Sequence, residues 1–276
     1  MTTTPHSTAT RIAPDPIVVF GAPRSGTTFL NHLLNAHPEV HITHEMRLFA
    51  WAHEALVEAT KKDRLLVTHR EAFTQHATSR FAGLIRDFYA TQWPHVRYWG
   101  DKNPHYADVL NRGCLDTIRR IFPGAKFVHI VRDGRDVVAS IVRRKHADGR
   151  AWADIESAAW TWRDHAAIGA AFGRKVGPTH YHEIRYEDLV ADGLRNAREL
   201  FGFLGIPPHP AVEDFCLREQ EKRSAFSSPT RDLSAGDAAR SDWDGVLSAE
   251  DRVLAMHILE PKLVEFGYSV AMERPA

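Results

Sequence analysis

The stretch Gly21-Ala-Pro-Arg24-Ser25-Gly26-Thr27-Thr28 carries the densest chemistry in the chain. It follows a short apolar run, Ile17-Val-Val-Phe20, which reads as a buried strand. It precedes Thr27 to Asn35, which reads as a helix with Phe29, Leu30, Leu33 and Leu34 as its apolar stripe. A turn between a strand and a helix suits a phosphate group. The first N–H groups of the helix point outward without intrahelical partners, and the helix dipole adds partial positive charge there. Gly26 allows close approach, and Ser25, Thr27 and Thr28 add hydroxyl donors. The spacing is nearly GxxxxGK[ST], but Thr27 stands where that loop carries its lysine. A nucleotide triphosphatase uses that lysine on the β/γ-phosphates, so its loss argues against ATP or GTP hydrolysis. Arg24 supplies the charge instead, with a planar donor fork suited to phosphate or sulfonate oxygens. A tight turn with an exposed arginine would not need Arg-Ser-Gly-Thr-Thr together.

A second strand-to-helix turn lies at Arg132-Asp133-Gly134. Lys126 to Val131 is the clearest second core strand, and Val137, Val138, Ile141 and Val142 line the helix that follows. A divergent P-loop kinase or nucleotide-binding protein would end such a strand in an acid. Here Arg132 takes that place. The 17 histidines invite a metal site, but the patterns fail. His53-Glu54 begins like HExxH with Val57 at the second His position, and His180-x-His182 has no clear third ligand. No catalytic metal is expected.

The elements that must position these residues alternate. Val96–Gly100 and Thr179–Ile184 read as further strands. Helical patterns cover much of Met46–Trp93, Ala107–Phe122, Trp152–Phe172 and Leu189–Leu204, the last stopping near Gly205. Ser248 starts a final helix with Asp251 at the capping-box distance. Alternating strands and helices predict an α/β fold, a single domain with a central parallel sheet flanked by helices. Residues 1–15 read as a flexible N-terminal tail without the apolar core of a signal peptide, 16–276 as the domain, and 219–245, polar with few anchors, as a loop or lid.

Composition narrows the partners. The chain of 276 residues has 43% hydrophobic and 25% charged residues, enough for a sizeable core. Its formal net charge is zero, so no basic excess points to nucleic acid, and any anion site must be local. Cys114 and Cys216 stand far apart, without a disulfide framework or thiolate metal pattern. No run reaches the roughly 18–20 apolar residues of a membrane helix, and the expected location is cytoplasmic.

Several segments together resemble the sulfotransferases that use 3′-phosphoadenosine-5′-phosphosulfate (PAPS). Pro23-Arg-Ser-Gly-Thr-Thr-Phe-Leu30 resembles their 5′-phosphosulfate loop. Ala36-His-Pro-Glu-Val40 followed by His44-Glu45-Met46-Arg47 is similar to the segment that carries the catalytic glutamate of the tyrosylprotein branch. Phe127 to Ser140 resembles the second signature, in which a strand-terminal Arg and a Ser eight residues later bind the 3′-phosphate. Gly100-Asp-Lys102-Asn-Pro104 resembles the segment with an active-site lysine, and Arg185-Tyr186-Glu-Asp-Leu189 a late landmark of the core. The matches keep the family's order over about two-thirds of the chain.

The resemblance implies a P-loop-like sulfotransferase fold and in-line transfer of a sulfuryl group from PAPS to a hydroxyl, or an amine, of a small-molecule, sugar or phenol-type acceptor. It implies Glu45 as general base, Lys102 against the leaving phosphate, and Arg24 on the sulfonate. Cofactor contacts fall to Arg24, Ser25, Gly26, Thr27, Thr28, Arg132, Ser140 and, with a core role equally open, Tyr186. Burial would have to raise the Glu45 pKa for it to act as a base. His44 competes locally; on a helix the two neighbours would point about 100° apart. The tyrosylprotein branch has a Glu where His44 stands, so a peptidyl-tyrosine acceptor does not follow.

Overall fold

A computed structural model describes residues 12–13, 15–61, 64–144, 153–226 and 243–270. Its centre is a five-stranded sheet whose pairings are all parallel. Strand β1 (Ile17–Phe20) leads through the phosphate-type loop into α1 (Thr27–Asn35), and β2 (Val40–His44) follows. Helices α2 (Leu48–Lys61) and α3 (Arg64–Gln92) precede β3 (Tyr98–Lys102). Two 3₁₀ turns, Pro104–Ala107 and Val109–Asn111, lead into α4 (Cys114–Ile121) and β4 (Lys126–Val131). Helices α5 (Gly134–Arg143) and α6 (Ile155–Val176) then lead to β5 (Tyr181–Arg185). The chain continues in helices α7 (Tyr186–Ala191), α8 (Gly193–Leu204), α9 (Pro210–Phe226), α10 (Trp243–Val246) and α11 (Ala249–Glu265).

The spatial order is β2-β3-β1-β4-β5. Alternate side chains of β1 enter opposite cores, as the period of two requires. Val18 and Phe20 pack with Phe49, Trp99, Phe122 and Phe127, while Ile17 and Val19 pack with Leu30, Ile42, Val128 and Ile184. Both faces are therefore covered, which is why β1 is apolar throughout rather than alternating. A third core, around Trp162, Val137 and Leu259, joins α5, α6 and α11. Because every pairing is parallel, the ends of all five strands that point toward function lie on one edge. In open α/β sheets, ligands bind outside the carboxyl ends of the strands, where the strand order reverses. Here the chain reverses around β1, the strand that carries the glycine-rich loop.

Several boundaries differ from the sequence reading. Strand β2 was not anticipated; its Val40-x-Ile42 alternation is short and interrupted by His41 and His44. Strand β3 starts two residues later than expected, which puts Lys102 at a strand end rather than in a loop. The segment 219–245 is not loop throughout: α9 runs through Phe226 and α10 begins at Trp243. Residues 227–242, Trp152 and most of the N-terminal tail lie outside the described residues. The caps read from sequence are present: Gly205 ends α8 with φ +68°, and Ser248 Oγ accepts from Asp251 N–H at 3.1 Å. Among the described residues, no helix is long and apolar enough to cross a membrane.

Candidate active site

Five strand ends contribute to one edge, and its first half is made by β1, β4 and β5. The loop after β1 turns sharply: Ser25 N–H donates to Ala22 C=O at 3.1 Å, and Leu30 N–H to Gly26 C=O at 3.1 Å. Gly26 has φ +93°, and a Cβ there would lie 2.4 Å from Tyr186 Cδ2, so both its backbone and its neighbour require glycine. Arg24 has φ +71°, a left-handed conformation rare for a non-glycine residue and frequent at functional sites. Its Nε donates to Ser140 Oγ at 3.0 Å. The Arg132 guanidinium lies 4.9 Å from the centre of the Tyr186 ring, and its Nη1 is 3.4 Å from Arg24 O. Arg24, Arg132, Ser140, Tyr186 and Gly26 thus meet, although up to 162 positions separate them in the chain.

Burial and the positive charges of Arg144, Arg132 and Arg143 hold the Arg24 guanidinium below its ordinary pKa. A cationic cluster of this kind favours a multiply charged anion. Two buried polar atoms in the same cradle, Ser25 Oγ and Arg132 Nε, have no hydrogen-bond partner. Buried polar groups are normally satisfied, so each is suited to a ligand oxygen. Arg132 also makes a long contact with Asp136 Oδ2, at 3.5 Å, one helical turn on. Its backbone is fixed from behind: Trp162 Nε1–H donates to Arg132 C=O at 2.9 Å, and Glu187 accepts Asp133 N–H at 2.9 Å and the Tyr268 hydroxyl at 2.9 Å. Trp162 and Glu187 are positioning residues that the sequence reading did not single out for that role. Arg143 and Arg144 were also missed; their signal was a basic pair at the end of α5.

The second half lies at the ends of β2 and β3. Lys102 is buried, with 1% of its surface exposed, and its Nζ donates to Glu45 Oε1 at 2.8 Å. It also lies 3.1 Å from His44 Nε2, which can only accept from an ammonium. His44 and Glu45 therefore face the same group. The helical geometry that would separate them does not apply, because β2 ends at His44 and Glu45 has φ +58°. Glu45 N–H donates to Lys102 C=O at 2.8 Å, which extends the β2–β3 ladder by one residue and ties the pair together through backbone as well as side chain.

The electrostatics of Glu45 also differ from the sequence reading. Burial alone would raise its pKa. The hydrogen bond and charge of Lys102, with His44 and His105 nearby, outweigh burial and hold the carboxyl below its ordinary value. Asp101, next to Lys102 and facing the other way, is the residue whose importance was missed. It is buried, and its Oδ1 accepts from Thr43 Oγ1 at 2.6 Å and Met46 N–H at 3.1 Å, while Tyr106 donates to Oδ2 at 2.5 Å. Burial raises its pKa. Asp101 clamps both sides of Glu45 in the chain, which stabilises its left-handed backbone. An acid inside a buried strand, in Trp99-Gly-Asp101, was the signal available in sequence.

Residues 16–210 match the model of the sulfotransferase family. The chain belongs to that family. It is 26% identical over 265 residues to protein-tyrosine sulfotransferase A of Caenorhabditis elegans, covering 91% of this chain and 67% of the relative. It spans from 51% to 67% of the length of the first three curated relatives it matches. Among solved structures, the sulfotransferase domain of a Synechococcus olefin synthase has a TM-score of 0.60 and 22% identity, covering 95% of this chain and 98% of that one. A mouse sulfotransferase solved in complex with PAP has a TM-score of 0.56 and 13% identity, covering 91% and 85%. At these identities the two structures establish the fold, a P-loop-like α/β sheet.

Proposed function

We propose that the chain transfers the sulfuryl group of PAPS to an acceptor hydroxyl, with Glu45 as base and Lys102 as the cation that meets the leaving phosphate. One observation carries this reading: a buried lysine held 2.8 Å from Glu45, on the same sheet edge as two loops with unpartnered buried donors. Arg24, Ser25, Gly26, Thr27 and Thr28 would hold the 5′-phosphosulfate, and Arg132 and Ser140 the 3′-phosphate. Tyr186 would serve as the wall behind Gly26 and Arg132.

In the transfer, the acceptor oxygen forms a bond to sulfur while the bond from sulfur to the bridging phosphate oxygen breaks. The acceptor proton passes to Glu45, and negative charge grows on the bridging oxygen. By analogy with phosphoryl transfer, positioning and electrostatic stabilisation dominate. Lys102 has a part on both sides. Before the donor arrives it satisfies Glu45; once a bridging oxygen is within reach, it has a second anion to neutralise. Each step of Lys102 away from Glu45 removes the interaction that keeps that carboxyl acidic, so donor binding itself strengthens the base. His44 Nε2, engaged by Lys102, orients the lysine rather than taking the acceptor proton.

Arginine and lysine supply the positive charge that a metal would otherwise provide, so turnover is metal-independent in this scheme. The acceptor is a phenol in preference to an aliphatic alcohol. A phenol has a pKa of about 10, nearer to that of a carboxylate base. The relative named for protein tyrosine points the same way. The test is incubation with PAPS carrying labelled sulfur and a panel of phenols, sugars and alcohols in excess EDTA, read by mass spectrometry. Label should appear on a phenolic hydroxyl with one PAP released per product. No acceptor-dependent release of PAP from any panel member would overturn the reading. Turnover that EDTA abolishes and a divalent ion restores would overturn its metal-free form.

A further inference from the structure

The turn that follows Lys102 and the outer helix α6 bring three ligating side chains together. His105 sits in the 3₁₀ turn Pro104–Ala107, Asp108 caps the next turn, and His165 lies on α6. One ligand atom from each lies within 4.8 Å of the other two. His165 is buried, with 3% of its surface exposed. Its Nδ1 is 2.7 Å from Thr161 O, and a carbonyl oxygen can only accept, so Nδ1 carries the hydrogen. Nε2 of the neutral ring is then a lone pair. It has no hydrogen-bond partner, and it stands 4.0 Å from Asp108 Oδ2.

A lone pair turned toward a carboxylate oxygen is repulsive unless a cation lies between them. A proton on Nε2 is one such cation, but 4.0 Å is beyond hydrogen-bond range, and burial lowers the pKa of this ring. A metal ion suits the gap better. Tetrahedral zinc bonds of about 2.0–2.2 Å place neighbouring ligand atoms roughly 3.3 Å apart. The separations here, 3.1 Å from His105 Nδ1 to Asp108 Oδ2 and 4.0 Å from His165 Nε2, lie on either side of that value. The outer contacts also have the form that fixes metal ligands. Thr161 C=O sets the His165 tautomer, and Leu110 N–H donates to Asp108 Oδ1 at 2.9 Å, while Oδ2 accepts from His105 Nδ1 at 3.1 Å, a hydrogen that an ion between the two would displace.

We propose that His105, Asp108 and His165 form a binding site for a divalent transition metal of the zinc type, with two imidazoles and one carboxylate as ligands. His105 is half exposed, so the ion can enter from solvent and keep a position for water. The site is separate from the sulfuryl-transfer residues, but His105 is close enough to act on the charge of Glu45. A bound ion would therefore be felt at that carboxylate.

The experiment is calorimetric titration of zinc chloride into protein first stripped with EDTA, followed by cobalt(II) titration read by visible absorption. The wild-type chain should bind one ion that Asp108→Asn loses or binds at least about a hundredfold more weakly, beyond the loss typical of an outer-shell change. Asp108→Asn keeps the oxygen that accepts Leu110 N–H, so the turn is preserved. His105→Ala, at an exposed position, should weaken the same ion, and the tetrahedral cobalt absorption should disappear in both variants. His165→Ala is not needed, which avoids a buried substitution that could unfold α6. With 17 histidines in the chain, other ions can bind adventitiously. If every bound zinc keeps its affinity in Asp108→Asn and His105→Ala, or if the wild-type chain binds none, the proposal is wrong.

Discussion

The half of the site that we propose for the donor, at the ends of β1, β4 and β5, and the half that we propose for the acceptor, at the ends of β2 and β3, are built by different means. In the donor half each loop is one contiguous motif leaving a buried strand. Gly21 to Thr28 makes its own turn, and Arg132 stands two residues before α5, the helix that carries Ser140. In the acceptor half no segment is sufficient alone. Glu45 meets Lys102 only because β2 pairs with β3 in a register that puts His44 opposite Lys102. A buried acid, Asp101, then holds the strained turn after β2. Local chemistry specifies the donor half, whereas strand register and a buried polar network specify the acceptor half. Changes in the first should therefore act on nucleotide affinity, and changes in the second on turnover.

The sharpest way to break this division is Glu45→Gln, which keeps the size and removes the base. Turnover should fall by roughly 10²–10⁴-fold if proton removal contributes the usual general-base factor. Affinity for PAP, measured by calorimetry, should change little, because Glu45 belongs to the proposed acceptor half, its Oε1 2.8 Å from Lys102 Nζ and 3.6 Å from His44 Nε2. His44→Ala in the same assay is the control that can reverse the roles. If it abolishes turnover while Glu45→Gln leaves turnover near wild type, the base is His44.

A smaller effect is expected from Arg132→Ala on the donor side. PAP should bind more tightly than nucleotides lacking a 3′-phosphate, and this substitution should remove most of that preference. A hydrogen bond to a charged group contributes about 1.5–3 kcal/mol, which corresponds to roughly 10–150-fold in affinity. Turnover at saturating donor should fall less than affinity. Equal calorimetric affinity of the wild-type chain for PAP and for ATP would remove the basis for assigning the 3′-phosphate to this loop.

The same division explains what was legible in sequence. In the proposed donor half the loop at Arg24 and Gly26 and the turn at Arg132 could be read from the apolar strands that they follow, while the role of Ser140 followed from the family resemblance. The parallel α/β arrangement was legible for the same reason. In the acceptor half, the identities of Glu45 and Lys102 followed from family resemblance, but their relation did not. Strand β2 is five residues with two histidines, too short and mixed to announce itself. Without it, Glu45 reads as the start of a helix and His44 as pointing elsewhere. The left-handed backbone at Glu45 and the clamp by Asp101 depend on contacts 55 or more positions away, which local propensity does not encode. The cluster at His105, Asp108 and His165 was invisible for the same reason: its third member arrives on α6, 57 residues beyond Asp108.

The smallest expected effect is also the most direct probe of the link between the halves. Glu45 accepts a proton only when ionised, so activity is lost as pH falls through its pKa. In the free enzyme Lys102 holds that pKa below the ordinary glutamate value, so the acid limb of kcat/KM for PAPS should lie below the ordinary glutamate range. The limb of kcat reports the complex with donor bound. There Lys102 has a second anion to neutralise, and the donor brings negative charge toward the carboxylate. Both changes disfavour ionised Glu45, so the kcat limb should lie at higher pH than the kcat/KM limb. Lys102→Met removes the cation and approximates the side-chain volume, and it should raise the kcat/KM limb while lowering turnover. Coincident acid limbs for kcat and kcat/KM in the wild-type chain would show that Lys102 never loosens its hold on Glu45. The donor half would then act on the acceptor half through position alone.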